Sequence, residues 1–117
     1  MLNKDSILQA SDLVTEEVPV PEWGGSVYIR TMSGAERDSF EQSIIEGKTK
    51  GGNANMVNVR GKLAVRVLCD EQGDRIFLDV DAEALGKKSG KALDRIFEVA
   101  QRLCGIGDKD IKELEGN

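Results

Sequence analysis

Gly47-Lys48-Thr49 has the closing residues of a phosphate loop, where a glycine-rich turn between strand and helix cradles phosphates on its backbone N–H groups. Such a loop needs another glycine five positions earlier. That position is Gln42, and the segment before it has helical periodicity. A nucleotide site is therefore not expected. Asp79, Asp81 and Glu83 have the i, i+2, i+4 spacing of a calcium loop, but its sixth position would be Ala84 and its twelfth Gly90. Calcium coordination needs glycine at the first of these and a bidentate glutamate at the second. A helix cap with solvated acids explains the trio. Cys69 and Cys104 are thirty-five positions apart, and there is no histidine. Four nitrogen or sulfur ligands for zinc cannot be gathered from one such chain. The cysteines read as reduced, mostly buried thiols, since a free cysteine behaves as a small hydrophobe; a disulfide would need an oxidising compartment.

Without histidine the usual general base is missing, and no serine or cysteine has an identifiable activating partner. Ser33 and Ser89 stand at helix starts, where capping accounts for them. Among twenty-one acidic residues no pair stands out. The sequence predicts no enzyme, no metal and no cofactor. Sixteen basic residues against the twenty-one acids give a net charge of −5. Nucleic-acid binding normally needs a basic excess to displace phosphate counterions, so it is not expected. No apolar run approaches the roughly 20 residues of a membrane span, and Met1-Leu2-Asn3-Lys4-Asp5 does not open a signal peptide. The expected setting is the cytoplasm. Lys87, Lys88, Lys91 and Arg95 form a small basic cluster, read as a solvated face that could touch an acidic partner.

A length of 117 residues predicts a single domain over 1–117. Asn3 is placed to cap a short helix carrying Ile7 and Leu8. Val18 and Val20 alternate with Pro19 and Pro21, giving an extended segment that cannot sit centrally in a sheet. Trp23-Gly24-Gly25 is turn chemistry, and Ser26–Arg30 has strand composition, so residues 16–31 predict a β-hairpin. Ser33 and Glu36 match a capping box opening a helix over about 33–46, with Phe40 and Ile44 inward and Gly47 as its stop. A mobile loop over 47–55 is expected. Met56, Val59, Leu63 and Val67 share a stripe, predicting a helix over 56–69, although Gly61 weakens it by about 1 kcal/mol. Arg75–Leu78 reads as a short strand, and Asp81 as the cap of a brief helix over 82–85. The clearest helix spans 89–104, from Ser89 to Gly105, with Ala92, Ile96, Ala100 and Leu103 on one row and Leu93, Phe97 and Cys104 on the next. Asp108–Leu114 adds a final turn or two. The fold class is thus α+β, mainly helical, with three to five helices packed on the hairpin.

Trp23 is the most individual residue. It either plugs the core beneath the hairpin or serves as a partner-binding anchor, since Trp and Tyr are enriched at binding hot spots. In the second case Tyr28 and Arg30 extend the same surface.

Residues 16–41 carry a resemblance. Pro21-Glu22-Trp23-Gly24-Gly25, followed by Val27, Arg30, Thr31, Gly34, Glu36 and Arg37, resembles the N-terminal part of tail assembly chaperones of long-tailed, siphovirus-type bacteriophages. The similarity continues through Asp70–Gly73 and Phe77–Leu85, and returns at Ala92–Leu103. It implies an assembly factor, absent from the mature virion, that binds the tape measure protein and keeps it soluble during tail tube assembly in the host cytoplasm. It further implies homo-oligomers, and a longer frameshifted form that recruits tail tube protein, this chain matching the short form. The competing expectation is a structural tail or head–tail joining protein, which would carry a larger β component.

Overall fold

The computed structural model describes residues 1–45 and 56–106. The Gly47 stop, the 47–55 loop and the Asp108–Leu114 turns lie outside them. The chain begins with α1 (Lys4–Gln9), capped as expected: Ser6 N donates to Asn3 Oδ1 at 2.9 Å. Strands β1 (Thr15–Val20) and β2 (Gly25–Arg30) form the predicted hairpin, with Val18 opposite Val27 and Glu16 opposite Ile29. A 3-10 turn over Pro21–Trp23 joins them and closes at Gly24, whose φ of 75° is left-handed. Pro19 sits in β1, the edge strand, where its missing N–H costs no ladder bond.

Helix α2 (Gly34–Ile45) opens with the predicted capping box: Glu36 N donates to Ser33 Oγ at 3.2 Å, and Ser33 N donates to Glu36 Oε1 at 2.9 Å. Helix α3 (Val59–Val67) is shorter than the stripe suggested. It starts late because Asn58 is left-handed, with φ 58°, and so cannot continue a helix. It stops early because Leu68–Cys69 forms β3, pairing antiparallel with Ile29 and Tyr28. The hairpin thus becomes a three-stranded sheet of order β1-β2-β3. Tertiary pairing with β2 overrides the helical pattern of these two residues.

The strand expected at Arg75–Leu78 is not formed: Arg75 makes one bridge to Cys69, and Ile76 and Leu78 face solvent. The brief helix α4 (Ala82–Leu85) is present, but Asp81 is not its side-chain cap. Its Oδ2 instead accepts from Leu78 N at 2.8 Å, closing a 3-10 turn over Asp79–Asp81. Helix α5 (Gly90–Cys104) matches expectation at both ends, with Ala92 N donating to Ser89 Oγ and Gly105 left-handed at φ 69°.

The core lies where the sheet's inner face meets α2, α3 and α5. Ile29, Phe40, Ile44, Leu63, Val67 and Ile96 are buried there, and α3 packs on α4 and α5. Side-chain links fasten α5 to its neighbours. Arg102 pairs with Glu16 on β1, Arg60 of α3 pairs with Asp94, and the Arg60 guanidinium lies 5.9 Å from the Phe97 ring centre.

A basic-rimmed apolar surface as candidate functional site

The 3-10 turn places Trp23 at the edge of the core. It is half-buried, packed against the cluster on one side and open on the other. Glu22 beside it anchors the turn to α5, accepting from both terminal nitrogens of Arg95 at 2.7 and 3.2 Å. Such bidentate pairing is geometrically selective. Arg95 and the backbone N–H of Glu22 hold the Glu22 carboxyl down to about 2.

On its open side Trp23 joins Phe77, Leu85 and Lys88 around a surface pocket of about 330 Å³. A second hollow of about 460 Å³ runs along Arg75–Val80 and shares Phe77. Ile76, Leu78 and Val80 are 54%, 69% and 83% exposed, so this is an apolar ridge in water. These residues alternate at i, i+2, i+4. Such alternation suits a strand, but among the described residues no strand lies opposite to bury them.

The loop carrying the ridge is held by ion pairs. Arg75 Nη2 donates to Asp79 Oδ1 at 2.7 Å, and its Nε donates to Val65 O at 3.1 Å. Arg66, buried in α3, reaches Asp79 Oδ2 at 3.4 Å, and Ser39 Oγ accepts from its Nη2 at 3.0 Å. Hydrogen bonding from Arg75 holds the Asp79 carboxyl below its ordinary range. Asp79 and Asp81, two of the calcium-spaced acids, are thus engaged by arginines and by a backbone N–H.

The structure separates the three residues expected to bind a partner. Tyr28 and Arg30 alternate with the buried Ile29 on β2, and Tyr28 lies opposite Cys69. Arg30 is ion-paired with Glu36 and lines a different, polar pocket with residues 10–13 and 71–74. Its Nε is buried without a hydrogen-bond partner among the described residues. Trp23 lines neither that pocket nor the Arg75–Val80 hollow. Phe77, which lines both the Trp23 pocket and the Arg75–Val80 hollow, is a site residue that sequence reasoning missed because Arg75–Leu78 has the look of a strand.

A second apolar surface lies at the N-terminus. Helix α1 buries none of its residues, and Leu2, Ile7 and Leu8 are exposed, as are Leu13 and Val14 after it. Among the described residues no helix is long and apolar enough to cross a membrane. Nor do they contain a group of three or more His, Cys, Asp or Glu side chains that could hold a metal ion.

No curated protein matches the sequence. A solved structure, that of the bacteriophage HK97 tail assembly chaperone, is similar in fold. The TM-score is 0.63 at 21% identity, covering 89% of this chain and 95% of that one. A family model described as phage tail assembly chaperone matches residues 4–117. The chain therefore belongs to the phage tail assembly chaperone family, which is not an enzyme family.

Proposed function

We propose that this chaperone binds the tape measure protein and keeps it soluble while tail tube subunits assemble around it, and that it is absent from the finished virion. The observation that carries this reading is apolar surface left in water: the 76–80 ridge and the N-terminal arm of an otherwise charged chain. Exposed apolar patches with polar rims mark interaction sites. A client rich in amphipathic helix would cover such patches and be shielded from self-association.

The work takes place in the cytoplasm of the bacterial host. Trp23 is the first partner contact in this reading; Tyr28 and Arg30, on the central strand β2, offer contact apart from it. Leu2 before α1 and Ile7 and Leu8 on it suit contact with a second copy, so the chaperone acts as a homo-oligomer. Many weak contacts along one long client then add up. A longer frameshifted form recruits the tail tube protein.

Capture of this chain from infected cells tests the reading. The tape measure protein should co-purify with it, and purified particles should lack it. Its stable presence in particles would instead favour a structural tail or head–tail joining role.

A further inference from the structure

We infer that the two hollows that share Phe77, one of them lined by Lys88, seat an amphipathic α-helix whose apolar face is flanked by acidic residues. This assignment rests on the chaperone reading and names the site and chemistry of its client. Trp23, Phe77 and Leu85 wall one hollow, and Ile76, Leu78 and Val80 line the other. Two adjoining apolar hollows match two anchors one turn apart on a helix, the helix-in-groove mode of recognition. The loop between them is preorganised. Asp79 is held by Arg75 and Arg66, and Leu78 N is held by Asp81. The apolar side chains are therefore fixed outward before a partner arrives, which lowers the ordering cost of binding.

Charge selects the occupant. The chain carries −5 overall, yet Lys88 lines the Trp23 hollow, and its sequence neighbours Lys87 and Lys91 are exposed as well. Among the described residues none of the three makes an ion pair within 4 Å; Arg95 is paired with Glu22, whose carboxyl also feels the Lys91 charge. A basic rim beside an apolar floor complements acidic flanks on the partner helix. Helix α1 of a second copy offers no such complement, because its Lys4 and Asp5 cancel.

Trp23 is the chain's single tryptophan and reports directly on the hollow. Two synthetic helical peptides serve as probes, sharing one leucine face but carrying glutamate flanks in one and lysine flanks in the other. The glutamate peptide should move Trp23 emission to shorter wavelength and bind about tenfold more tightly at low salt. Lys88→Glu should reverse that preference, and Leu78→Asp should abolish binding. Both positions are exposed, so the helical circular-dichroism signal should persist. Equal binding of the two peptides, or no emission shift, overturns the assignment. An emission shift that follows chain concentration alone also overturns it, because a second copy then fills the hollow. Co-expression separates this claim from the broader one. If the unaltered chain leaves the tape measure insoluble, the chaperone reading fails. If Leu78→Asp solubilises it as well as the unaltered chain does, only the site assignment fails.

Discussion

Asn58 donates from its side-chain Nδ2 to the carbonyl oxygen of Ala82 at 2.8 Å, tying the start of α3 to the start of α4. The same carboxamide occupies space left open by two glycines. A Cβ on Gly61 would lie 2.5 Å from Asn58 Oδ1 and 2.6 Å from Ala82 O, and one on Gly86 would meet Asn58 Cγ at 2.6 Å. Gly61 therefore weakens the helix locally but permits the contact that sets the α3–α4 packing beneath Leu85.

Gly61→Ala should destabilise the protein despite alanine's better helix propensity. The propensity gain is about 1 kcal/mol, whereas overpacking against backbone costs about 1–3 kcal/mol. Gly86→Ala has no comparable gain inside a helix and should lose about 2 kcal/mol. Urea denaturation checks both. Placing Gly61→Ala in an Asn58→Gly background should recover part of the loss, since the crowded side chain is gone.

Removing residues 1–12 should leave the folding free energy within about 0.5 kcal/mol, because α1 buries none of its residues. Self-association measured by analytical ultracentrifugation should fall. A large loss of stability would mean that the arm packs on its own chain.

Acid should weaken the fold through Glu22 and Asp79. Arg95 holds the Glu22 carboxyl down to about 2, and Arg75 holds Asp79 below its ordinary range. A carboxyl whose proton affinity is depressed on folding stabilises the native state above its unfolded pKa, about 4 for these types. That contribution is lost as pH falls through the folded value. Urea midpoints should thus decline from about pH 4.5 downward. Glu22→Gln and Asp79→Asn should each flatten the decline.

Burial pushes both thiols up. Cys69 lies in β3, and Cys104 Sγ accepts from Met32 N at 3.4 Å. In the folded protein at pH 8, iodoacetamide should modify Cys69 about tenfold more slowly than in urea. Rapid modification would show that β3 opens readily.

Trp23→Ala should cost about 1–2 kcal/mol, less than the ~3–5 kcal/mol of a fully buried aromatic, because one side of the ring faces the open pocket. The helical signal should survive while tape measure co-purification weakens. Unfolding would assign Trp23 to the core alone.

Elements whose signals are local were legible in the sequence. The Ser33–Glu36 box, the Ser89 and Gly105 helix ends and the Pro-flanked hairpin each depend on a few neighbouring residues, and each is present. Features set by distant partners were not. Leu68 and Cys69 continue a helical stripe but become strand because β2 offers them an edge. Ile76, Leu78 and Val80 alternate like a strand, but exposure depends on what lies opposite, and among the described residues no strand does. Trp23 was recognisable as an individual residue. Its pocket partners Phe77 and Leu85 were not, since they are more than fifty positions away and are brought to it only by the tertiary fold.

The central claim is tested most directly by the soluble fraction of the tape measure protein expressed with and without this chain. The account predicts that the tape measure is largely insoluble alone, and soluble and co-purifying when the chain is present. A tape measure equally insoluble in both cases, or equally soluble in both, would contradict it.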